Sequence, residues 1–299
     1  MIERAFDFLF SEKRRTAFEH WVLGIAIVAF LVHLLFIYLN QFGLISMGKE
    51  NSLLKNPIAA AYTPFSFILI YEVYLLIYYL PRSITTYIRK QYEIITLIMI
   101  RRLFKDLSNL EITSNWFSVE GDIQFTYDLI GSLLLFLLLY FFALQGRRQG
   151  ELAREDTLDQ LYIQRFIQLK KAIAVGLAPI LLIVASYTFM TWTLGVAIPS
   201  HDLAGTFTDI NSVFFDQFFE ILIIVDVLLL LFSFFVTDDF HKIIRNSGFI
   251  ISTILIRLSF SAEGLASVVL IVTSVLFGLF ILLIFNQYQK AVQNEGRLE

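Results

Sequence analysis

The chain has 299 residues, of which 57% are hydrophobic and only 16% charged, with a net charge of −3 and a mean hydropathy of +0.71. Soluble globules carry about 25% charged residues, so the composition argues against one, and no nucleic-acid partner is expected. The absence of cysteine excludes disulfides, thiolate metal sites and cysteine nucleophiles.

Residues 1–20 lack the short apolar core and small-residue cleavage site of a signal peptide, and are expected as a cytoplasmic amphipathic segment. Apolar stretches then lie near 21–39, 61–80, 88–107 and 127–145. A charged segment, 146–171, follows and is expected to be a cytoplasmic linker helix. Four more stretches lie near 173–195, 214–236, 244–261 and 265–286, before a tail at 287–299. Runs of about 20 apolar residues predict membrane-spanning helices. The expected fold is an all-α integral membrane protein with eight transmembrane helices, arranged as two tandem four-helix units over 21–145 and 172–286.

The two units repeat one another. Residues 95–104, ITLIMIRRLF, and 251–260, ISTILIRLSF, share Arg101 and Arg257 at an offset of 156. Ile88-Arg89 matches Ile244-Arg245 at the same offset. The fourth and eighth stretches correspond once about 18 residues, the polar loop from Glu111 to Asp128, are set aside.

The third and seventh stretches have shorter apolar cores and fit either a span or an interfacial helix. Six spans would give inverted repeats; eight give parallel ones. Lys and Arg placement favours eight, with both termini in the cytoplasm. The basic N-terminus, Arg82, Arg89, Lys90, the linker, Lys242, Arg245, Lys290 and Arg297 then share one side. The loop Pro199 to Ser212 contains no Lys or Arg.

Charge inside hydrocarbon is expensive and marks a functional position by default. Glu72 falls about 11 residues into an inward span and Arg101 at similar depth in the next, at 1.5 Å rise per residue. The same reasoning pairs Asp226 with Arg257. Each pair is expected either to fix helix register or to sense voltage or line an ion or proton path. The layout resembles a voltage sensor in outline, although arginines at every third position are absent. Asp216 and Glu220 share a helix face, which predicts either a cation-attracting outer mouth or a wetted helix end. Arg82, Arg89, Lys90, Lys242 and Arg245 are expected at anionic lipid head groups.

His33 is expected as an inter-helix hydrogen bonder rather than a haem ligand, and the other histidines have no spacing that builds a metal site. Pro179, Ser186, Tyr187 and Thr188 suggest a kinked helix with packing contacts. The acids Glu151, Glu155, Asp156 and Asp159 read as a solvated helix face, or as a docking point for a soluble partner. The sequence has no P-loop, GxGxxG, HExxH or nucleophile elbow. No enzyme activity and no cofactor are expected.

The run from Asp226 to Gln287, with Phe240-His241, Ile244-Arg245 and Thr253-Ile-Leu-Ile-Arg257, resembles the bacterial phosphate-starvation-inducible PsiE family. The first half matches more weakly, with Thr85 in place of the histidine. That family consists of four-span inner-membrane proteins without an established biochemical activity. The resemblance implies a duplicated version of that unit in a bacterial inner membrane. Two functions follow as expectations: an ion channel or transport protein, or a membrane scaffold or stress-response subunit. Expected partners are the bilayer, anionic lipids, and a further copy or other membrane proteins.

Overall fold

The computed structural model describes residues 2–43, 57–107, 120–152, 160–197, 210–235, 239–262 and 264–295. Among them every regular element is a helix, as the composition leads one to expect. A short α1 (Ile2–Phe10) leads into α2 (Glu12–Gln41). One turn of 3₁₀ helix (Pro57–Ala61) leads into α3 (Tyr62–Tyr79), which is followed by α4 (Ile84–Leu107) and α5 (Glu120–Leu152). The second half contains α6 (Gln160–Ala197), α7 (Ile210–Phe234), α8 (Phe240–Ser259) and α9 (Gly264–Glu295).

Local chemistry sets the breaks. Pro81 follows α3 and cannot continue its hydrogen-bond ladder. Ser83 Oγ then accepts the Thr86 N–H at 3.3 Å, capping the start of α4. Gly264 has φ of 61°, a left-handed conformation that glycine adopts without steric cost, and this lets α9 begin close behind α8. The third and seventh stretches of the sequence become α4, with 24 residues, and α8, with 20.

Helix packing follows the repeat. The principal neighbours run α2–α3–α4–α5–α9–α8–α7–α6, so each contact in one half has its counterpart in the other. α5 against α9 forms the middle of the series, and α4 touches α8 across it. The two four-helix units therefore share one core rather than closing as separate bundles. α6 also returns to α3, and α1 packs on α6.

The centre of the shared core is Tyr92, fully buried on α4. Its ring meets Phe142 edge-on at 5.1 Å, and Phe142 in turn lies 5.8 Å from Phe249. Its hydroxyl and Ser252 Oγ are 2.6 Å apart, and Ser252 donates to the Ser274 carbonyl at 2.6 Å. Gly278 gives Tyr92 its place, since a Cβ there would collide with the phenol.

Polarity is distributed from the inside outward. Glu72, Gln91, Arg101, Asp128, Lys170 and Asp226 are buried, whereas Trp21, Ile27, Val28, Leu31, Leu133, Phe136, Tyr140 and Ile284 are exposed. Three helical stretches among the described residues, Glu3–Gln41, Asp122–Arg147 and Gly264–Val292, are long and apolar enough to cross a membrane.

Gly278→Val is expected to destabilise the fold by about 1–3 kcal/mol through overpacking. Tyr92→Phe, which keeps the ring and loses the hydroxyl, is expected to cost about 1 kcal/mol. Thermal unfolding of both variants in one detergent checks the order of the two effects.

Candidate functional site: buried charge between the helices

Glu72 is held on α3 and Arg101 on α4, both buried. The Arg101 guanidinium lies within electrostatic reach of the Glu72 carboxyl on the adjacent antiparallel helix.

Asp226 departs from the expected pattern. A pairing with Arg257 is expected, yet its hydrogen-bonding partner comes from the other half. Gln91 Nε2 on α4 donates to Asp226 Oδ2 at 3.0 Å. The Tyr87 hydroxyl, one turn earlier on α4, lies beside the same carboxyl but outside good hydrogen-bonding geometry. Lys170 on α6 adds a positive charge nearby. Acid and arginine lie 31 positions apart in the second half and 29 in the first. Arg257 itself is partly exposed near the end of α8.

Lys170 lies in the linker portion of α6, before the apolar stretch that begins at residue 173. It is buried, and its Nζ donates to the Arg82 carbonyl at 3.2 Å. Burial pushes its ammonium down to about 8, with Arg245 acting in the same direction and Asp226 opposing.

A second polar network joins α4, α5 and α9. Arg102 Nε lies 3.8 Å from Asp128 Oδ2, and Arg102 Nη1 donates to Ser267 Oγ at 3.3 Å. Gln124 Nε2 donates to Asp128 Oδ1 at 2.8 Å, and Asp106 reaches the same carboxyl. The Asp128 side chain is fully buried while Arg102 keeps partial solvent contact. Sequence reasoning passed over this network, and Lys170, Gln91 and Tyr87 with it. Asp128 inside the fourth apolar stretch was the available signal.

The remaining expectations divide. Glu220 is exposed on α7, while the side chain of Asp216 lies outside the described residues, so the two are not brought together here. Most of the acidic linker face, 153–159, also lies outside them. His33 Nδ1 is 2.5 Å from Thr63 Oγ1, the inter-helix bond expected of it. Among the basic residues expected at lipid head groups, Arg82 is exposed. Arg89 pairs with Glu93 at 3.1 Å, Lys90 shares that carboxylate, and Lys242 pairs with Asp239 at 2.6 Å. Arg245 is half-buried: its Nε and Nη2 donate to Asn246 Oδ1 at 3.1 and 2.9 Å, and its guanidinium stacks 4.4 Å from the centre of the Phe285 ring on α9.

Among the described residues no group of three His, Cys, Asp or Glu side chains is placed to hold a metal ion. Comparison with protein-family models, curated proteins and solved structures finds no match for the chain.

Asp128→Ala is expected to destabilise the protein by about 1–3 kcal/mol, because Gln124 and Arg102 lose their shared acceptor. Asp128→Asn retains an acceptor for Gln124 and is expected to cost less. Denaturant unfolding in detergent separates the two.

Proposed function

We propose that this chain is a polytopic protein of the bacterial inner membrane, with α2 to α9 crossing the bilayer and both termini in the cytoplasm, and that its buried charges form an ion path. The observation that carries the reading is the inverted polarity: exposed aliphatic and aromatic side chains surround buried Glu72, Arg101 and Asp226. Hydrocarbon solvent favours such an arrangement, since lipid-facing side chains need be only apolar while ionised groups must find partners inside. At about 1.5 Å per residue α4 and α8 are each about 30 Å or longer, enough to span with their charges enclosed. The resemblance to the PsiE family agrees with the duplicated four-span plan.

Ionisable groups facing a bundle interior mark ion or proton pathways. Glu72 and Arg101 supply opposite charges from neighbouring helices in the first half, and Asp226 supplies a third group in the second. An enzyme reading has no constellation to rest on. A non-transporting scaffold would retain the same charges as register pins alone.

Current through a planar bilayer containing the purified protein tests the reading across salts of different cations and anions. Glu72→Gln and Arg101→Gln are expected to lower conductance by about tenfold or more, the effect of a perturbation near 1.4 kcal/mol, with the fold retained in circular dichroism. Silence from folded, correctly inserted protein, with proton flux into liposomes also absent, favours the scaffold.

A further inference from the structure

We propose that the ion is a proton, bound at Asp226, and that Lys170 competes with it for the carboxylate. The assignment rests on the ion-path reading above and names the site at which the path takes up its ion.

Three helices build the site. Asp226 is 3% exposed on α7, and Gln91 and Tyr87, each also 3% exposed, face it from α4. Gln91 holds one carboxylate oxygen. The Tyr87 hydroxyl is buried beside the carboxyl and acts on it, although no hydrogen bond of good geometry joins the two among the described residues. Lys170, 7% exposed, adds the nearby positive charge from α6. Arg245 of α8 faces Lys170 in turn.

The chemistry selects the ion. Calcium or magnesium requires about six or more oxygen ligands, normally with more than one carboxylate. Here one carboxylate lies within electrostatic reach of an ammonium, which repels a metal cation, and the site offers few acceptors. A proton needs a single oxygen. Uptake converts the Asp226 carboxylate and one proton from water to a neutral carboxylic acid, and no other bond changes. Lys170 then loses its counter-charge and keeps the Arg82 carbonyl and the Phe166 ring, whose centre is 4.8 Å away. Because Arg82 sits in the turn between α3 and α4, protonation loosens α6 from that turn. The ion site is thereby linked to the linker between the halves.

Infrared difference spectra of the intact protein in lipid nanodiscs, acid minus alkaline, test the binding step. The expected signal is a protonated-carboxyl C=O band that titrates in the wild type and disappears in Asp226→Asn. Removing an opposite charge favours the protonated acid, so Lys170→Gln is expected to move that titration to higher pH by about one unit, and Lys170→Arg to leave it near wild type. Hydrogen exchange, corrected for intrinsic rate, reads the coupling: peptides covering 82–91 and 164–172 are expected to exchange faster at acid pH in the wild type, and fast at both pH values in Lys170→Gln. A carboxyl band that persists in Asp226→Asn, or one whose titration ignores Lys170→Gln, overturns the proposal. Should Asp226→Asn not fold, the Lys170 pair of variants decides alone. The titration without proton flux into liposomes would sink the path reading and leave the proton site standing; flux without the titration would do the reverse.

Discussion

An ionised side chain enclosed by apolar helices must meet a partner on another helix, and this requirement organises the molecule. The groups that meet it are few. Arg101 acts on Glu72 between α3 and α4, Gln91 donates to Asp226 between α4 and α7, and Arg102 meets Asp128 between α4 and α5. All three interactions involve α4. Each fixes the rotation of a helix whose outward side chains are otherwise interchangeable apolar groups, and which the hydrophobic effect alone would orient weakly in lipid. α4 therefore acts as the polar spine against which the other helices take register.

Close packing supplies what the charges cannot. Tyr92 can sit at the junction of α4, α8 and α9 only because Gly278 opposes it and Ser252 offers its hydroxyl. Small residues at helix interfaces allow backbones to approach, and their hydroxyls answer buried polar groups locally. At the offset of 156, Tyr92 corresponds to Gly248. The repeat is broken here: Gly278 makes room for Tyr92, whereas a side chain at Gly248 would meet Ile281.

Much of this was legible in the sequence. Apolar length located the helices, and α4 at Ile84–Leu107 encloses the expected stretch of 88–107. The burial of Glu72, Arg101 and Asp226 followed from their placement within apolar runs. The partner of Asp226 was not legible, because a tandem repeat suggests pairing within each unit, whereas the α4–α7 contact crosses between units. Register was also hidden. Offset by 156, Glu72 aligns with Leu228, but burial aligns it with Asp226: each acid follows an exposed isoleucine by two residues, Ile70 and Ile224. The extra two residues before Arg257 absorb that shift, and only packing reveals where. Lys170 was read as part of a charged linker, since nothing in a run of basic and acidic residues marks the one that turns inward.

The halves share a scaffold but not a chemistry. The Arg102, Asp106 and Asp128 network of the first half corresponds in sequence to Leu258, Ala262 and Ala266 of the second. Conversely, Asp226 gathers Lys170 and α4 residues, while Glu72 faces Arg101. Each half thus has a buried acid on its second long apolar helix, Glu72 or Asp226, with different cations around it. A buried ion pair replaced by well-packed apolar side chains is often neutral or stabilising, so stability alone does not account for an acid in both copies; fixing helix rotation does, and the proposed ion path would use the same groups. On the proposed ion path, these two acids with their different counter-charges are expected to hold an ion with unequal strength.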